Sequence, residues 1–352
     1  MLSSTPGSDW TRRNIVQQER NQVSGSLTIE TQDPDETTIM TRTTAALSVD
    51  AEDKPRFSSG NLWLVALRRL FRQRSGIAGM IILGALTLVA IFAPIIAPHD
   101  PLQDFIGVGA VKRRDPPCIH VLGCSEEQPQ HIMGLDGNVR DEFSRIIYGT
   151  RISLFIGFIT IGVAVLVGTI LGAIAGYAGG WASTIIMRIL DVVLAFPFLL
   201  LAIAIVAVLG PGLVNAMMAI AIINVPAFAR VIRSSVLAVR EEEYVMAART
   251  IGANPARTLF LHVLPNTISP LIVMGTLGIG TAILETAALS FIGMGAQPPD
   301  PEWGAMLASE RNQVFSAPHL VFFPGVAIML TVLGFNLLGD GLRDALDPRL
   351  RL

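Results

Sequence analysis

Residues 152–187 read ISLFIGFITIGVAVLVGTILGAIAGYAGGWASTIIM, without a single Lys, Arg, Asp or Glu. A helix needs about 20 mainly apolar residues to cross a bilayer. This run also lacks the polar stripe at 3.6-residue spacing that a helix at a water boundary shows. Comparable uncharged runs cover 76–98, 192–229, 262–284 and 312–339. The 352-residue chain is 51% hydrophobic and only 15% charged, against about a quarter charged in soluble domains, and its mean hydropathy is +0.55. A soluble protein with buried helices is excluded, and the lipid bilayer is the expected solvent.

The uncharged runs predict six transmembrane helices, at 77–97, 152–175, 184–209, 213–232, 267–292 and 320–338. Gly-rich or Gly/Pro breaks separate several of them: GYAGG at 176–180 and GPG at 210–212. Residues 1–59 are rich in Ser, Thr, Gln, Asp and Glu and read as a disordered cytoplasmic tail. Residues 60–150 hold an amphipathic helix at 61–74, with Trp63 at the headgroups, then the first span and a long outer loop. No cleavable signal peptide is expected, because the first apolar segment starts near Ile77.

Arg68, Arg69, Arg72 and Arg74 precede the first span and place the N-terminus in the cytoplasm. Six spans then put the loop 233–265 and the tail 341–352 inside as well. That loop carries Arg233, Arg240, Arg249 and Arg257; the outer loop 293–319 has only Arg311 against Asp300, Glu302 and Glu310. The segment 98–151 has six basic and eight acidic residues yet falls outside, as long translocated loops obey the rule weakly. It holds Cys118 and Cys124, which either close a small disulfide loop at an oxidising exterior or remain free thiols.

The loop 241–265, EEEYVMAARTIGANPARTLFLHVLP, reads as a helix–turn–helix. Residues 241–251 are helix-prone with acids at the start, where the macrodipole favours them. Gly252 ends that helix as a C-cap glycine, Asn254-Pro255 turns the chain, and 256–264 restarts. Val245, Ala248 and Ile251 give one apolar face; Ala247 and Gly252 give a small-residue surface that a partner can approach closely.

Other candidates have a plainer reading beside the functional one. Glu285 lies within the fifth span and marks either a water-lined pathway or an interhelical partner. Arg188 and Asp191, three apart, are placed to pair on one helix face. Pro197, Pro226 and Pro270 are expected to kink their spans, and Gly157, Gly162, Gly168, Gly172 and Gly176 permit close helix packing. The two cysteines and five histidines show no recognised metal-ligand spacing, and no catalytic constellation is present. No phosphate-cradling GxxxxGK[ST] occurs, so ATP chemistry would belong to another polypeptide. No stretch resembles a nucleic-acid patch. The rival class is an autonomous secondary transporter, which should carry internal repeats with broken helices, or an intramembrane protease. No duplicated pattern is evident, nor a paired-aspartate or Ser/His set within the spans.

At Ala247, Ala248, Gly252, Leu264 and Pro265 the chain resembles the EAA loop of ABC-importer permeases; Met246 stands at the motif's glutamate. The stretches 131–154 (HIMGLDGNVRDEFSRIIYGTRISL), 191–203, 297–307 and 336–348 are similar, in order, to the dipeptide/oligopeptide/nickel permease group. There the first usually reads GTDxxGRD, and Leu135 and Val139 depart at the threonine and the glycine. The resemblance implies an all-α membrane protein with the type I ABC importer permease fold, its five-span permease domain at 151–340. It implies a non-catalytic subunit of the cytoplasmic membrane. The coupling helix would dock an ATPase through Glu243, Tyr244, Met246, Ala247, Ala248, Arg249, Gly252 and Ala253. It further implies a second homologous permease, two P-loop ATPase subunits that bind ATP and Mg, an extracytoplasmic substrate-binding protein, and no cofactor on this chain. The implied substrate is short peptides, with nickel chelates, oligosaccharides or other small solutes as alternatives.

Overall fold

A computed structural model describes residues 67–108, 111–124 and 130–346. The tail 1–59, the first part of the amphipathic segment 61–74, and 347–352 lie outside the described residues. Residues 67–70 are helical and 71–72 turn, so what is seen of that segment breaks before Arg74. Helices then follow in order: α1 (Arg74–Ile91), α2 (Ala93–Ile96), α3 (Glu142–Ala178), α4 (Gly180–Leu194) and α5 (Phe198–Leu209). After them come α6 (Leu213–Val239), α7 (Glu243–Thr250), α8 (Pro255–Thr258), α9 (Ile268–Phe291), α10 (Trp303–Glu310) and α11 (His319–Leu346). Among the described residues there is no sheet, only three isolated bridges.

Five helical stretches are long and apolar enough to cross a membrane: α1, α3, α6, α9 with the turns preceding it, and α11. The expected third span differs. It is two helices, α4 and α5, bent by 93° at a short break. Pro197 is the cause. It has no N–H to donate and disfavours helical backbone at Phe196, and Pro197 itself serves as N-cap of α5 with ψ 130°. The other prolines do not break their helices. Pro226 sits inside the continuous α6. Pro270 falls in the first turn of α9, where its missing N–H would have had no helical partner anyway. The last helix runs on to Leu346, so the described part of the expected tail, 341–346, is helical.

At 37 residues α3 is about 55 Å long, well beyond a hydrocarbon core of about 30 Å. Its first turns therefore belong to the segment that precedes it. Further along, α3 packs on α6 with almost no side chain between. A Cβ on Gly168 would meet Cβ of Phe228 at 2.6 Å, one on Gly176 would meet Cβ of Val236 at 2.9 Å, and Gly172 abuts the carbonyl of Ala229. Gly157 is pressed against Ile283 in the same way, whereas Gly162 faces open space. Small residues at four-residue spacing let two backbones approach closely, which compensates for the weak hydrophobic drive between helices in lipid. The main core, with Ile161, Ala164, Ile220, Phe228, Ala229 and Leu289, forms around that contact. α1 joins α11 by a similar device, with Gly76 against Gly341 and Gly79 against Gly334. Large apolar side chains such as Ile81, Leu166, Leu200 and Val208 stay exposed on the outside, as a lipid or partner-helix surface requires.

Gly172→Leu should force α3 off α6 at a cost of at least about 1–3 kcal/mol. The expected result is a lower apparent unfolding temperature in detergent and less monodisperse protein on size exclusion. Gly162→Leu should change neither.

Candidate functional site

The loop after α6 is held from one side and open on the other. Val245 is fully buried with Ala173, Ile232, Val236 and Val263, so α7 rests on the end of the α3–α6 pair. Tyr244 reinforces the seat: its hydroxyl donates to the carbonyl of His262 (3.3 Å) and accepts from Nδ2 of Asn266 (3.0 Å). Nη1 of Arg240 donates to the carbonyl of Gly176 (3.1 Å), and the Arg249 guanidinium lies 5.5 Å from the Tyr177 ring centroid, a cation–π distance.

The helix ends on Gly252, whose φ of +86° is left-handed backbone that favours glycine. The N–H of Gly252 donates to the carbonyl of Arg249 and that of Ala253 to the carbonyl of Ala248, the paired bonds of a Schellman stop. The side chain of Asn254 accepts from the N–H of Ala256 and caps α8, with Pro255 in its first turn. The restart at 256–264 is not one regular helix. α8 gives way to a π turn, Leu259–Val263, and a 3-10 turn, Leu264–Thr267. Pro265 brings no N–H, and a looser turn before it is one way a chain accommodates proline.

The outer face of α7 carries Glu243, Met246, Ala247 and Arg249, all exposed, and Gly252 beyond it; Ala253 is half-buried. Met246 is 47% exposed, so the position of the motif's acid is open and apolar. Ile251, expected beside Val245 and Ala248, instead projects outward at 86% exposure. It is the residue that closes the helix and no longer follows the helical face.

Glu285, on α9, accepts from Nδ2 of Asn224 on α6 (3.3 Å). Asp191 does not pair with Arg188; it forms its ion pair with Arg230 on α6. Cys118 and Cys124 are joined as a disulfide with Cα atoms 5.4 Å apart.

At the opposite end of α3, the described residues of 98–141 pack into a small cap, where the hydropathy pattern predicts only an outer loop. Phe105, Leu135 and Val139 form its small core. Oδ2 of Asp136 accepts from Nε of Arg140 (3.0 Å) and lies 3.6 Å from Nε of Arg145. Glu310 accepts from Nε of Arg114 (2.7 Å) and from the N–H of Gly137 (3.0 Å), which ties the cap to α10. Asp141 caps α3 by accepting from the N–H and hydroxyl of Ser144 and bonds the His131 ring. Burial pushes its carboxyl up, and the bonds from His131 and Ser144 outweigh this and hold it below its ordinary value. The signals in the sequence were the density of charge next to a span and the resemblance of 131–154 to the GTDxxGRD stretch.

With this geometry the chain matches known proteins along most of its length. Residues 168–352 match the family described as binding-protein-dependent transport system inner membrane component. The chain belongs to that family. Residues 61–117 match the N-terminal TM domain of oligopeptide transport permease C. A dipeptide transport system permease protein of Alkalihalophilus pseudofirmus is 49% identical over 84% of this chain and 93% of its own length. A glutathione transport system permease protein of Pectobacterium atrosepticum is 45% identical over 82% and 92%. A di/tripeptide transport system permease protein of Pseudomonas aeruginosa is 44% identical over 79% and 89%. The protein is thus a multi-pass permease subunit of an ABC importer, with that family's all-α membrane fold.

In this permease the backbone of Val139, which stands where the GTDxxGRD pattern has glycine, is left-handed with φ of +61°. A β-branched residue is rarely found there; burial of Val139 against Phe105 and Leu135 offsets part of the strain. Both Val139→Ala and Val139→Gly lose that burial, but only the first keeps the strain. The glycine variant should therefore be the more stable by about 1 kcal/mol, the reverse of the usual order in helices, and thermal unfolding of the pair would check it.

Proposed function

We propose that this permease forms half of the translocation path of an ATP-driven importer for short peptides, with the 243–265 loop as the docking element for a cytoplasmic ATPase. The observation that carries the docking assignment is the two-sidedness of α7: Val245 and Tyr244 fix it to α3, α6 and the base of α9, while Met246, Ala247 and Gly252 stay open. A helix seated in this way passes a push from outside straight into the spans as a rigid-body motion. Peptides are favoured because the similar permeases are named for dipeptide, glutathione and di/tripeptide transport.

On this reading the partners are a second homologous permease, two P-loop ATPase subunits that hold ATP and Mg, and an extracytoplasmic substrate-binding protein. Both termini and the α7 loop face the cytoplasm, and the 98–141 cap faces outward. ATP-driven closure of the ATPase pair brings the two α7 helices together, and the spans alternate between inward and outward access. The exposed part of the docking face is apolar at Met246, so shape rather than a salt bridge fits it to its partner. Glu285, hydrogen-bonded to Asn224, serves as an interhelical tie beside the path.

Gly252→Trp tests the assignment. The variant should insert in the membrane at normal level yet fail to co-purify with the ATPase, or hydrolyse ATP without peptide uptake in proteoliposomes. Normal assembly together with normal uptake would refute docking through this loop.

A further inference from the structure

Two histidines and an aspartate with no metal-binding spacing in the sequence converge where the 98–141 cap meets the start of α3. One ligand atom each from His99, His131 and Asp141 lies within 4.8 Å of the other two. Nδ1 of His131 is 2.9 Å from Oδ1 of Asp141, and Nδ1 of His99 is 3.7 Å from Oδ2. Zinc bonds of about 2.0–2.2 Å at a tetrahedral angle separate two ligand atoms by roughly 3.3–3.6 Å. The two measured distances, one to each oxygen of Asp141, fall on either side of that range, so small shifts of the side chains would bring three donors onto one ion.

One of these ligand atoms also has no partner of its own. Nδ1 of His99 is a buried atom without a hydrogen-bond partner among the described residues, and such an atom in a protein interior calls for an explanation. The surroundings hold the donors in place. The Phe105 ring packs edge-on against both, with centroids 4.9 Å from His99 and 5.2 Å from His131. Asp141 is oriented by the N–H and hydroxyl of Ser144, and the hydroxyl oxygen of Ser144 accepts from the backbone N–H of His99 (3.2 Å). His131 is pinned by paired backbone bonds to Cys118, itself in the disulfide. Such outer contacts are what orient metal ligands in built sites.

We propose that His99, His131 and Asp141 bind one divalent transition-metal cation of the zinc class. Two imidazoles and one carboxylate suit zinc and its neighbours, whereas calcium and magnesium take oxygen sets. The anionic carboxylate and two neutral rings leave a net charge of +1 on the bound site and a fourth position for water or an incoming donor. The ligands come from the exit of the first span, the cap and the N-cap of α3, so the ion would cross-link three separate parts of the chain.

The test uses the full-length permease in detergent, with any affinity tag removed, stripped with EDTA and titrated with Zn2+ alone. Metal content after desalting is expected at one zinc per chain. Cobalt(II) in place of zinc should give the intense visible bands of a four-coordinate site. His99→Ala, the substitution at the partly exposed ligand, should weaken zinc binding at least about tenfold without changing the size-exclusion profile. Asp141→Asn should abolish it, and His262→Ala, in the α8–α9 turn, should leave it unchanged. Absence of stoichiometric zinc in the wild type, or equal retention by wild type and His99→Ala, would overturn the site and leave the cluster as a hydrogen-bonded helix cap.

Discussion

The close approach of α3 to α6 along Gly168, Gly172 and Gly176 is the constraint on which both ends of the molecule depend. Without side chains at those three positions, backbone meets backbone and side-chain stem, and the pair behaves as one thick strut. Ala173, Ile232 and Val236, all within that contact zone, are the residues that receive Val245. The position of α7 therefore follows from how near α3 lies to α6. A wider spacing would leave Val245 without a socket, and the loop would lose its fixed angle to the spans.

The same helix carries the other end. α3 begins well outside any hydrocarbon layer, capped by Asp141 and gripped by Arg145, whose Nη1 donates to the carbonyls of Pro101 and Pro299. Two of the buried carboxylates there are each held by several partners: Asp136 accepts from two backbone N–H groups as well as Arg140, and Glu310 joins Arg114 to Gly137. The ends of α3 are thus held by different physics, apolar burial and small-residue contact at one and a dense polar network at the other. A displacement applied at α7 has a direct mechanical route through α3 to the cap.

Span existence, the short loop helix, its glycine stop and the turn at Asn254-Pro255 were legible in the sequence. Each depends on interactions within a few residues: uncharged length for a span, a left-handed residue for the stop, an Asx side chain for the cap. The inward face of the loop helix was legible only in part. Val245 and Ala248 point inward as their spacing requires, but Ile251 does not, because helical periodicity ends with the helix. The bend of the third span was expected at Pro197, but not its size. Hydropathy records that 184–209 is apolar and is silent on direction, whereas Pro197 turns it by 93°.

What the sequence determined by itself was the class of solvent, the number of apolar segments and the local chemistry of the loop, since all three are set by neighbours in the chain. Tertiary structure alone decided the partners of Asp191 and Glu285, the ordered cap over α3, and the meeting of His99, His131 and Asp141. These contacts join residues from 10 to 61 positions apart, and their selection rests on which backbones pack closely enough to bring them together.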